Sequence, residues 1–161
     1  MTDRDSRQDR NETGAERYDR NWRDIQQELR ITQTGTQLLA GFLLTLPFQQ
    51  RFSMMSDFET AVYLALVVLA AAISILALAP VSAHRLLFRR GAMRTLVTIG
   101  NRILIICMVA SAILFSGAVL LIFEVVLQHP LGLLVGAVMF VGTAVLWIAV
   151  PLSIRARRAE A

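Results

Sequence analysis

Lysine is absent from this chain of 161 residues: all sixteen basic side chains are arginine. Acidic side chains nearly vanish from its middle, where residues 38–152 hold only Asp57, Glu59 and Glu124. Cysteine occurs once, as Cys107 within an apolar run, which excludes an internal disulfide and a thiolate metal cluster. The patterns that carry catalysis are missing as well. There is no paired-carboxylate motif, no H-E-x-x-H, no G-x-S-x-G followed by an acid and a base, no phosphate loop and no metal-ligand spacing. These absences argue against an enzyme and call for no cofactor and no metal.

What is present is apolar. Hydrophobic residues make up 55% of the chain, in blocks that reach or approach the ~20 residues a helix needs to cross a ~30 Å hydrocarbon layer. The expected fold is all-α: a membrane four-helix bundle with spans at about 31–48, 58–79, 103–127 and 131–153. The first span is the weakest, strongly apolar only over residues 38–48, and charge parity decides that it crosses. Residues 85–102 and the tail at 154–161 are arginine-rich, which places both in the cytoplasm by the positive-inside rule. A crossing first span puts the N-terminal thirty residues, with seven arginines and eight acids, on the same side. Both termini are then cytoplasmic, and His84 and His129 lie on opposite sides of the membrane. The sequence pI near 10.5 reflects these topology signals, and no nucleic-acid partner is read from it.

The polar N-terminal segment divides in two. Residues 1–12 lack periodicity and are expected to be a disordered tail. Thr13-Gly14-Ala15-Glu16 reads as a capping box that opens a helix over 13–30. Tyr18, Trp22, Ile25 and Leu29 form one apolar stripe on that helix, so it either lies in the headgroup layer, packs under the bundle, or docks a partner.

Three polar sets stand in or near the spans, where an unsatisfied polar group costs several kcal/mol. On span 1, Gln33 and Gln37 share a face with Arg30, and Thr34, Gly41 and Thr45 lie close to it. This face is expected to point into the bundle, as interhelical hydrogen bonding or as a polar groove. Near the outer end, Glu124 is matched in depth by Arg51 and by His129, a structural ion pair or a pH-sensitive cluster. On the inner face, His84, Arg85, Arg89, Arg90 and Arg94 are expected to meet lipid headgroups on an interfacial helix broken near Gly91. Gly132 and Gly136 form a G-x-x-x-G for close helix packing, within the chain or between two copies. Only Gln128-His129-Pro130 joins spans 3 and 4, which makes them antiparallel neighbours.

Several motifs run together: Arg20-Asn21-Trp22, Gln27-Glu28-Leu29-Arg30, Gln33-Thr34-Gly35, Leu46-Pro47-Phe48-Gln49-Gln50-Arg51-Phe52, and Ala79-Pro80-Val81-Ser82-Ala83-His84-Arg85 with Phe88-Arg89. In them the chain, over roughly 12–155, resembles a family of small four-span membrane proteins of high-GC Gram-positive bacteria, a domain of unknown function. The resemblance implies the plasma membrane of a bacterial cell and carries over no catalytic residue. Some members of that family bear the label sodium:proton antiporter. The leading expectation is a non-enzymatic interaction or accessory subunit with a basic cytoplasmic face. Its partners would be membrane lipids and a second copy or another membrane protein. The alternative is a small oligomeric ion- or proton-coupled transporter, with Gln33, Gln37 and Glu124 lining its path.

Overall fold

The computed structural model describes residues 13–87, 93–127, 131–150, 152, 153 and 155. Four helices account for nearly all of them, and no strand occurs among the described residues. They are α1 (Gly14–Thr45), α2 (Asp57–Leu87), α3 (Met93–Leu127) and α4 (Leu131–Ala144), the last continuing through a π turn, Val145–Ala149. Short 3-10 turns, Leu46–Phe48 and Gln50–Met54, join α1 to α2. The expected tail at 1–12 and most of 154–161, with His129, Arg89, Arg90 and Gly91, lie outside the described residues.

The first helix differs from the expected division. A separate amphipathic helix over 13–30 followed by a span over 31–48 is replaced by one unbroken helix of 32 residues. Its start is the Thr13 box: the Thr13 N–H donates to the Glu16 carboxylate at 2.8 Å and the Glu16 N–H donates back to the threonine hydroxyl at 3.4 Å. The continuity has a simple cause. The buried positions Trp22, Leu29, Thr36 and Leu43 are seven apart, with Ile25 and Leu39 between them in the companion phase. A stripe of that period keeps one seam of a helix against its neighbours over its whole length. The stripe does not lie on a surface, since Trp22, Ile25 and Leu29 are buried in the bundle.

The other two core helices carry the same spacing. On α2 the buried residues are Tyr63, Leu66, Ala70, Ile73, Ala77 and Pro80, alternately three and four apart. On α3 they include Gly100, Leu104, Cys107, Ser111, Leu114, Ala118 and Leu121. Alternating threes and fours give knobs-into-holes packing of nearly antiparallel helices. Among the described residues α1, α2 and α3 all touch one another, whereas α4 packs on α3 alone. The architecture among the described residues is therefore a three-helix core with a fourth helix on its flank, rather than a closed ring of four.

Pro80, where the second span is expected to end, lies inside α2, fully buried, and the helix runs on to Leu87. Likewise α3 begins at Met93, ten residues before its expected span. At ~1.5 Å per residue, helices of 31 to 35 residues are ~46–52 Å long, well beyond a ~30 Å hydrocarbon layer. The excess gathers at one end, where α1, the end of α2 and the start of α3 meet and Arg17, Arg23, Arg30, Arg85, Arg94 and Arg102 are exposed or line the rim. There the Trp22 ring stacks on His84, centroids 5.2 Å apart, and Gly100 lets α1 come close to α3. Two helices, Asp57–Leu86 and Met93–Leu127, are long and apolar enough to cross a membrane; α4 is a shorter apolar helix.

Candidate functional site

At the end opposite the arginines, the turns after α1 close over the bundle. Pro47 stands at the first turn of Leu46–Phe48 and, lacking an N–H, cannot prolong α1. Phe52 then meets Tyr63 of α2 edge-on, ring centroids 5.2 Å apart, which pins the second turn and fixes Arg51 beside the mouth of the bundle. A second capping box starts α2: the Ser56 N–H and hydroxyl donate to the Glu59 carboxylate at 2.7 and 2.9 Å, and the Glu59 N–H donates to the Ser56 hydroxyl at 3.3 Å. Ser56 and Glu59 carry the same hydroxyl-x-x-Glu spacing as Thr13 and Glu16, so this box is legible in the sequence.

Glu124 reaches the same place from α3. It is 2% exposed although it lies in the last turn of the helix. Gly132 explains the fit. A Cβ there would stand 2.6 Å from the Glu124 Cγ and 2.7 Å from its backbone nitrogen, so the α4 backbone lies directly on this side chain. Gly136, one turn on, is equally close to Leu120, 2.6 Å from its Cβ. Both glycines of the G-x-x-x-G thus face α3 of the same chain.

Arg51, Ser56, Glu59 and Glu124 line one pocket of about 390 Å³, with Met54, Met55 and Val125. It brings together two of the three residues expected at the outer cluster; the third, His129, is outside the described residues. Next to it lies an apolar pocket of about 500 Å³, between the turns and the end of α3, with Phe42, Leu46, Phe52, Leu121 and Val126 in its wall and Gln49 and Gln50 at its edge. Arg51, Met55 and Val125 belong to both.

The glutamines are not brought to this site, and the expectation that their face points inward is overturned. Gln37 is exposed and Gln33 half-buried, Thr34 and Thr45 are exposed, and Gly41 has open space beyond it. In the seven-residue phase set by Trp22, Leu29, Thr36 and Leu43, positions 34 and 41 fall on the outside of the helix. The inward polar residue is Thr36, 0% exposed, whose hydroxyl lies 3.4 Å from that of Ser111 on α3. The heptad phase was the signal that could have found it.

On the arginine-rich end, His84 is not a bare headgroup contact: it is half-buried against Trp22, with Nδ1 shielded from solvent. Arg85 and Arg94 are exposed there. The hydrogen bonds from Thr13, its backbone N–H first, hold the Glu16 carboxyl below its ordinary range. Among the described residues no three His, Cys, Asp or Glu side chains come together as metal ligands do.

The model of a family described as "Family of unknown function (DUF6328)" matches residues 11–151, and the chain belongs to that family. No curated protein and no solved structure matches it.

Proposed function

We propose that this member of the family is a four-span protein of the plasma membrane, its arginine-rich end and both termini cytoplasmic, that acts as a non-enzymatic interaction subunit for another membrane helix. The exterior supports the membrane part. Leu64, Val68 and Ile75 on α2, Ile105, Val109 and Ile113 on α3, and Leu134, Val138, Val141 and Leu146 around α4 are all exposed. On α4 only Gly132 and Gly136 are buried, so that helix is apolar on every side. Helices of this kind suit lipid, whereas a water-soluble surface keeps apolar patches to a few hundred Å². The exposed Arg85 and Arg94, near an anionic leaflet, would each contribute about 1 kcal/mol to anchoring.

The interaction part rests on one observation: α1 turns Thr34, Gln37, Gly41 and Thr45 outward, interleaved with the exposed Leu38, Phe42 and Leu44. The threonine hydroxyls of 34 and 45 are satisfied by the carbonyls of Arg30 and Phe42. The Gln37 amide projects with two donors and an acceptor, which lipid tails cannot answer and a neighbouring helix can. Gly41 leaves the backbone open to close approach. A photo-cross-linking residue placed at 37 in intact membranes is expected to capture protein, while the same residue at Val138 captures lipid. Lipid adducts alone from position 37 would end the interaction reading.

A carrier is the second reading, favoured by the pocket that holds Arg51, Glu59 and Glu124. Against it stands the middle of the bundle, filled by Ile73, Cys107, Leu114 and the Thr36–Ser111 pair. Proteoliposomes with a pH-sensitive dye separate the two: proton flux that is lost in Glu124→Gln would favour the carrier, and flux no greater than in empty vesicles the interaction subunit.

A further inference from the structure

Gly100, Gly117, Gly132 and Gly136 each stand where a Cβ would press on a neighbouring helix, and Gly35 faces Phe115. Gly41 meets nothing within 4 Å, although it lies in the apolar length of α1. A glycine inside a helix weakens it relative to alanine, and no described helix of this chain uses the space that Gly41 leaves. Gly142 on α4 is as open, but Val138 and Leu146 flank it one turn away on either side and hold another backbone off. Around Gly41 the face is lower. Thr34, Leu38, Gly41 and Thr45 follow one another at steps of four, three and four, and all are exposed, Leu38 at 80%. A seam of that spacing, with small residues in it, admits a second helix at close range. We propose that the helix docking on this face is α1 of a second copy of this chain, parallel to the first, in a dimer with two-fold symmetry. This rests on the membrane-interaction reading above and names its partner.

Symmetry and charge together select that occupant. Copies that all insert with their arginine-rich ends on one side can be related only by a two-fold axis along the membrane normal. Each residue near the axis then meets its own image. A charge facing its own image in lipid would forbid the contact, and residues 31–48 carry none. The hydroxyls of Thr34 and Thr45 already donate to carbonyls of their own helix, so they too tolerate their images. The charges begin where α1 leaves the apolar length, and there they complement. In parallel helices paired through Thr34, Leu38, Gly41 and Thr45, position 23 of one helix flanks position 28 of the other. These are Arg23 and Glu28, both exposed, and the pair forms twice, once on each side of the axis. The seam positions beside them are Arg20, Asp24 and Gln27. There like charges share a level and opposite charges adjoin it, which neither drives the pairing nor prevents it. The G-x-x-x-G of α4 takes no part, because Gly132 and Gly136 are filled by α3 of the same chain.

The experiment is disulfide cross-linking of the full chain in its native membrane, with single cysteines along α1. Cys107 is fully buried, so the natural protein is the unreactive background. Thr34→Cys, Leu38→Cys, Gly41→Cys and Thr45→Cys are expected to give several-fold more dimer than two exposed controls, Leu44→Cys, off the seam on α1, and Val138→Cys on α4. Adding Gly41→Leu to Thr34→Cys should cut its dimer yield several-fold; the open space beyond Gly41 lets a single chain keep its fold in that variant. Equal yields along α1, a highest yield at either control, or a yield that Gly41→Leu leaves unchanged overturns the proposal. Photo-cross-linking at position 37 separates the two levels. Capture of a different protein there, with the seam cysteines monomeric, overturns the second copy as partner and leaves the interaction reading standing. Lipid adducts alone remove both.

Discussion

The two ends of α3 are closed by the same device, a glycine at a helix crossing, with different neighbours. At the Glu124 end, a Cβ on Gly132 would strike a backbone nitrogen and the stem of a buried carboxylate at 2.6–2.7 Å. At the arginine-rich end, a Cβ on Gly100 would meet only the tips of Ile25 and Trp22, at 3.2 Å. Backbone is rigid and side-chain tips are not. The first end is therefore a fixed seam that shapes a charged pocket, and the second a tolerant joint that holds three helix ends together.

The largest effect should come from Gly132→Ala. Neither α3 nor α4 can yield without spreading the hairpin, so a loss of about 1–3 kcal/mol is expected in reversible unfolding from mixed micelles. A smaller loss belongs to the middle of the bundle. Thr36→Val or Ser111→Ala leaves one buried hydroxyl alone, and a double-mutant cycle should give a coupling of about 0.5–1 kcal/mol, in line with a hydrogen bond as long as 3.4 Å. At the tolerant joint, Gly100→Ala sets a few tenths of an ångström of side-chain adjustment against the ~1 kcal/mol gained in helix propensity. A near-zero net change is expected there, with a shift in Trp22 emission read in a Trp147→Phe background. A loss as large as that of Gly132→Ala would break the comparison. The smallest effect concerns the exposed start of α1. Because the Glu16 carboxyl is held low in the folded chain, its support of the first turn is present above the ordinary carboxylate pKa and fades as pH falls through the lowered value. Protection of the amides in that turn, taken against the intrinsic exchange rate at each pH, should fall in acid, and Glu16→Gln should abolish the difference.

The Glu124 end was the more legible in the sequence. There apolar runs stop against polar residues or proline, and the helix ends at Thr45 and Asp57 follow those stops. At the other end the helices continue through polar sequence, because burial of Trp22, Ile25 and Leu29 and the stacking of His84 reward it. Hydropathy does not register that reward, so α1 reads as two pieces and α2 as ending at Pro80. The inward face of α1 is hidden from hydropathy for a related reason. Gln33 and Gln37 look like an interior face if lipid is assumed to cover whatever faces outward, yet the seven-residue phase puts Thr36 inside and Gln37 outside. The seven-residue phase set by Trp22 and Leu29, carried through Thr36, marks the inward face. That Arg51, Glu59 and Glu124 share a pocket with an apolar neighbour needs the path of the turns at 46–54, which no pattern in the sequence sets.

The topology carries everything else, and the single native thiol, buried Cys107, makes it measurable. In intact cells a membrane-impermeant thiol reagent should label Ser53→Cys, in the turn beside the charged pocket, and leave Arg94→Cys unlabelled until the membrane is opened. Labelling of Arg94→Cys from outside, with Ser53→Cys protected, would contradict the account.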